Sequence, residues 1–177
     1  WTAGPNASVA SWHYAVDNDL VTQSCLEKDI AWHAGPVNGY SIGIEHAGRA
    51  GQSAAEWADE YSQSMLEISA DLVADICKRY NIPPRRLTAA DLAAGERNGI
   101  CGHVDVTKGL QGGKGHWDPG PDFPWAQYMS LVKDCLEYPA EPDLDTHARA
   151  MQTPDYADLV PVESNGVTWL VAPIYYA

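Results

Sequence analysis

Between Cys101 and Trp125 the chain concentrates side chains that could do chemistry: Cys-Gly-His-Val-Asp-Val, a glycine- and lysine-rich stretch, then His-Trp-Asp-Pro-Gly-Pro-Asp-Phe-Pro-Trp. His103 and Asp118 are suitable ligands for zinc, a borderline-soft dication that accepts a neutral imidazole and a carboxylate and can keep one position open for water. His116 lies two residues before Asp118. Taken singly, such residues more often serve as a satisfied strand histidine and a turn aspartate before Pro119. Taken together, they make an acidic globular chain a candidate metallohydrolase.

The elements around them must do the positioning. Ser11 to Val16 reads as a strand, with Trp12, Tyr14 and Val16 on one face at period two. Leu20 to Cys25 and Ile30 to His33 read as further short strands. Ser41 to His46 alternates so that Ile42, Ile44 and His46 share one face and Ser41, Gly43 and Glu45 the other. Ser53 with Glu56 forms a capping box that opens one long helix. Its apolar stripe is Trp57, Tyr61, Met65, Ile68, Leu72 and Ile76, and Asn81-Ile82-Pro83-Pro84 stops it. Thr88 to Gly95 reads as a short helix or a loop, Ile100 to Val106 as a strand, and Lys108 to Gly115 as a flexible loop. A last helix starts near Pro124. The fold class expected is α/β, a mixed central β-sheet flanked by helices. Residues 1–138 form the expected folded domain. Residues 139–177 read as an acidic, proline-punctuated linker and C-terminal extension, with Val167 to Val171 and Ile174 to Tyr176 as a small hairpin.

Composition narrows the partners. The 177 residues carry a formal net charge of -13, so no basic stripe is present to replace the counterions of a nucleic acid. The same acidity disfavours anionic membrane surfaces, and no apolar run has the length to span a bilayer. Phe occurs once against 7 Trp and 9 Tyr, a bias that suits either a polar ligand groove or cores with hydrogen-bonding tips. The 4 cysteines include no C-x-x-C pair; three full disulfide pairings are open to them, and the plainer reading is reduced, buried thiols. Trp1 follows no positively charged, apolar leader, so no signal peptide is visible and the chain reads as an excised module.

Several runs, in order, resemble one family: Trp1-Thr2-Ala3-Gly4, Trp12-His13-Tyr14, Ala31-Trp32-His33-Ala34-Gly35, Asn38-Gly39-Tyr40-Ser41-Ile42-Gly43-Ile44-Glu45, Tyr80-Asn81-Ile82-Pro83-Pro84, Gly102-His103-Val104-Asp105-Val106 and Asp118-Pro119-Gly120-Pro121-Asp122-Phe123-Pro124-Trp125. Residues 1–136 are similar to the zinc-dependent N-acetylmuramoyl-L-alanine amidases of the bacteriophage lysozyme and peptidoglycan-recognition type. Residues 140–177 lie outside the resemblance.

The resemblance implies a peptidoglycan-recognition-protein-like fold and zinc-dependent hydrolysis of the amide between N-acetylmuramic acid and L-alanine. It makes His103 and Asp118 two of three zinc ligands. The third is expected to be a histidine just upstream of Trp1, with Cys101 as a conceivable stand-in. Glu45 matches the catalytic carboxylate, a general base toward the attacking water; its pattern alone also fits an exposed sheet carboxylate. His116 matches a position that donates a hydrogen bond to the developing oxyanion. His33 and Asn38 match substrate-groove positions, although Asn38 beside Gly39 also suits a turn. Trp12 stands where some relatives place a catalytic tyrosine; lacking a hydroxyl, it is expected to stack on sugar or peptide. His13 and His46 are expected to be structural, and His147 has no evident role. The partner implied is peptidoglycan, with no nucleic acid and no membrane insertion. The setting implied is a modular phage endolysin with further domains, made in the host cytoplasm and released to act on the bacterial cell wall. The alternative is a peptidoglycan-binding module of the same fold that has lost catalysis.

Overall fold

The computed structural model describes residues 10–111, 115–137 and 169–171. In chain order the elements are β1 (Tyr14–Val16), β2 (Val21–Gln23), a 3-10 turn (Gly35–Tyr40), β3 (Ser41–His46), α1 (Ala54–Trp57), α2 (Glu60–Tyr80), α3 (Ala89–Ala93), β4 (Ile100–Cys101), α4 (His103–Leu110), α5 (Trp125–Glu137) and β5 (Trp169–Val171). The sheet runs β2-β1-β3-β5-β4. Among the described residues only the β1–β2 pair is antiparallel; β1–β3, β3–β5 and β4–β5 are parallel. This is the mixed sheet with flanking helices that the alternating pattern predicts.

The two faces of β3 divide the molecule. Ile42 and Ile44 join Tyr14 and Val16 in a core closed by Met65, Leu66, Val73 and Ile76 of α2 and Tyr128, Met129 and Val132 of α5. Every one of these side chains is 7% exposed or less, so this face supplies most of the hydrophobic stabilisation. A smaller cluster of Val37, Leu87, Leu92, Cys101 and Val106 packs where α3 and α4 meet. No disulfide joins the four cysteines; Cys77 and Cys101 are buried, and Cys25 and Cys135 are partly so. No helix among the described residues is long and apolar enough to cross a membrane.

Four local expectations are corrected. Ile30 to His33 is not a strand. The Trp32 N–H is taken by Ser11 Oγ at 2.8 Å, and those of His33 and Ala34 by Asn38 Oδ1 at 3.1 and 2.7 Å. Side-chain acceptors there replace a strand ladder. The helix expected from Ser53 is two. Ser53 and Glu56 cap α1 as predicted, then Asp59 begins α2 by accepting from Ser62 N at 2.7 Å. The strand expected over Ile100–Val106 ends at Cys101. Asp105 Oδ2 accepts from Gly102 N at 2.9 Å, a capping arrangement that turns the chain into α4 at His103. That helix also takes up the start of the stretch expected as a loop from Lys108; residues 112–114 lie outside the described residues. Finally, Trp169–Val171 does form a strand, but it is paired in parallel between β3 and β4 rather than as a hairpin arm. The second arm at 174–176 lies outside the described residues.

Candidate active site

His103 is the first residue of α4, and Asp118 precedes a cis peptide to Pro119. The two are held by backbone: Val104 N donates to the Asp118 carbonyl at 2.9 Å. The first turn of α4 is fixed in its turn by Asp105, whose carboxylate also receives Arg86 Nη2 at 2.6 Å. Arg86 lies 3.7 Å above the Trp125 ring, which leaves its guanidinium little freedom. Beyond Asp118, Gly120 has φ +95, and a Cβ there would lie 1.9 Å from the Ala50 carbonyl oxygen. Only glycine permits that approach, and it pins the loop carrying Asp118 against the segment that follows β3.

His103, His116 and Asp118 each offer a ligand atom, and these atoms lie within 4.8 Å of one another. His103 Nδ1 sits 3.3 Å from Asp118 Oδ2, and His116 Nδ1 sits 3.8 Å from Asp118 Oδ1. The His103 and His116 rings stack with centroids 3.9 Å apart. His103 and Asp118 are buried, yet His103 Nδ1 and Asp118 Oδ2 have no hydrogen-bond partner among the described residues. Buried polar atoms without partners are costly. Two imidazoles and a carboxylate converging without bonding one another fit a cation such as zinc, and the pair at 103 and 118 is the one the sequence singles out. His116 stays exposed, its pKa lowered by burial and by His103 against the pull of Asp118.

Glu45 extends from the β3 face opposite Ile44. Its Oε2 is buried and without a partner among the described residues. Burial first, and the Asp118 charge second, push its pKa up to about 9. A cation beside Asp118 would reverse the second effect and favour the ionised form.

The remaining predicted residues divide. His33 is buried over Gly43, where a Cβ would meet its Cγ at 2.5 Å, so glycine at 43 makes the room. Its Nε2 contacts Ser41 Oγ at 2.7 Å and its Nδ1 the Ala31 carbonyl at 3.1 Å. Burial foremost, then His13, lowers its pKa to about 3, so the ring is neutral. The His33 ring nitrogens and the Asn38 carbonyl oxygen therefore have protein partners within this wall. The turn reading of Asn38 is the one its hydrogen bonds match. His13 braces strands, accepting from Gly43 N at 2.9 Å and facing the Asp29 carbonyl at 3.1 Å. Trp12 is partly exposed and shares a trough with Glu45. Cys101 is buried in the smaller core cluster and is not among the donor atoms that converge at His103, His116 and Asp118, so it does not stand in as a ligand there. Pattern reading missed Asp105 as the α4 cap; the signal was its place three residues after Gly102.

A family model described as N-acetylmuramoyl-L-alanine amidase matches residues 2–121. The N-acetylmuramoyl-L-alanine amidase A of Achromobacter lyticus is 34% identical over 140 residues, covering 75% of this chain and 73% of that protein. The crystal structure of Staphylococcus aureus hydrolase AmiA in complex with its ligand superposes with a TM-score of 0.58 at 20% identity, over 73% of this chain. The chain spans 60% of the length of that structure, and the likeness is one of fold. With a family model covering more than half of its length and a relative of that identity and coverage, the chain belongs to the N-acetylmuramoyl-L-alanine amidase family.

Proposed function

We propose that the protein is a zinc-dependent amidase that hydrolyses the bond between N-acetylmuramic acid and L-alanine in peptidoglycan. The observation that carries this is the pair of partnerless buried atoms, His103 Nδ1 and Asp118 Oδ2, beside a partnerless Glu45 Oε2. His103 and Asp118 would hold the metal. A bound zinc acidifies water and polarises a carbonyl. Glu45 takes the proton of the attacking water and hands it to the leaving alanine nitrogen. His116, at the exposed rim, donates to the oxyanion that develops on the scissile carbonyl. Trp12 lines the approach.

His116 also fits a second role. Its Nδ1 belongs to the three-donor set, so it is placed to ligate. Metal content of His116→Ala separates the two: zinc retained with slowed turnover means an oxyanion donor, zinc lost means a ligand. The setting we infer is a module of a phage endolysin acting on the bacterial wall. The test of the activity is digestion of purified cell walls with the zinc-loaded chain, read as new N-terminal alanine. Binding to walls without release of alanine would favour the non-catalytic module.

A further inference from the structure

Arg85 and Arg86 are neighbours in the sequence and part company in the structure. Arg85 stays at the surface, where it pairs with Glu96 and donates from Nε to the Asn98 carbonyl at 2.9 Å. Arg86 turns inward: its side chain is 22% exposed, and that of its partner Asp105 is 9% exposed. The backbone sets this division. Arg86 forms an isolated parallel bridge with Ile100, and Leu87 N donates to the Ile100 carbonyl at 2.7 Å. Residue 86 is thereby fixed beside the strand that leads into His103.

The guanidinium then meets both segments that carry the metal-capable pair. Its Nη2 donates to Asp105 Oδ2, the same oxygen that accepts from Gly102 N and so caps α4 at His103. Its Nη1 donates to the Leu87 carbonyl. Its flat face covers the Trp125 ring, where the loop from Asp118 enters α5, and that ring packs on Phe123 with centroids 4.7 Å apart. The two segments also touch directly, since a Cβ at Gly102 would come within 2.6 Å of Pro119 Cδ. An ordinary helix cap needs only the carboxylate. A guanidinium that donates through its edge while its face stacks holds cap and loop at one spacing, which the rotatable point charge of a lysine does not.

We propose that Arg86 is a positioning residue for the metal site, setting the spacing of His103 and Asp118 through Asp105 on one side and Trp125 on the other. The proposal rests on the zinc-amidase reading for the identity of the ion. The test measures zinc affinity by chelator competition, together with the visible spectrum of the cobalt-loaded chain, which reports the geometry of the ligands. Arg86→Ala should weaken zinc binding about 10–100-fold, the usual cost of losing a partner that orients ligands, and should shift the cobalt spectrum. Arg85→Ala, which removes the surface pair alone, should leave both unchanged. Arg86→Lys restores the charge without the stacked plane. It should recover thermal stability toward that of the parent, yet keep zinc binding severalfold weaker and the spectrum shifted. It also carries the test if Arg86→Ala does not fold. Parental zinc affinity and spectrum in either Arg86 variant would overturn the positioning role, as would an equal loss in Arg85→Ala. If the parent binds zinc yet releases no alanine from cell walls, and the variants behave as stated, the amidase reading fails and the positioning role stands. A parent that binds neither ion overturns both.

Discussion

The protein buries two polar clusters on opposite faces of β3, and they are finished differently. On the core face His46 Nε2 meets Ser69 Oγ at 2.5 Å, and Ser69 Oγ meets the Tyr128 hydroxyl at 2.7 Å. Strand, α2 and α5 are joined by a chain of bonds closed inside the protein. On the site face His103 and Asp118 are also buried and Glu45 is partly so, yet each keeps a buried atom with no partner among the described residues. Burial alone therefore does not mark a functional histidine or carboxylate. What separates the clusters is whether the polar atoms find one another.

The contrast can be broken at its strongest point first. His103→Ala or Asp118→Ala should abolish wall hydrolysis and zinc binding together, measured by turnover and by metal content of the purified chain. Either variant keeping both would dissolve the distinction. Next in size, Glu45→Gln should lower turnover by about 10²–10⁴-fold while zinc remains bound; near-full activity would remove Glu45 as the base. Acid should then act on both faces at once. His33 and His46 are each lowered from 6.5 to about 3, chiefly by burial, so the fold holds them neutral while the unfolded chain protonates. Their contribution is whole above about pH 6.5 and falls by about 1.4 kcal/mol per pH unit for each histidine as pH drops toward 3. Denaturant unfolding at pH 7 and 4.5 measures this, and His46→Gln should make the slope shallower. Smallest of all, Ser69→Ala should cost about 1–3 kcal/mol of stability by stranding its partners. Turnover and zinc affinity should stay unchanged, and a loss of zinc would show that the two faces are coupled.

The regular parts of the molecule were legible from pattern because one physical demand governed them. In β3 and α2 alternate or helical spacing had only to present apolar side chains to a common core, and Ile42, Ile44, Met65 and Ile76 do so. The errors fall where local side chains compete for the backbone. Asn38 satisfies the amides that a strand at 30–33 would have used, and Asp105 converts an apparent strand into a helix start. At the site, the residue types at 45, 103, 116 and 118 could be picked out in advance. Their convergence could not, because it depends on a backbone bond from Val104 to Asp118 and on packing between Gly120 and Ala50, contacts that no spacing encodes.

Position 120 carries a consequence for anyone who varies this scaffold. Because its backbone rests directly on the carbonyl of Ala50, any side chain introduced there must pry two loops apart, and the nearer loop carries Asp118. Randomising residue 120 and selecting for cell-wall clearing should return glycine alone.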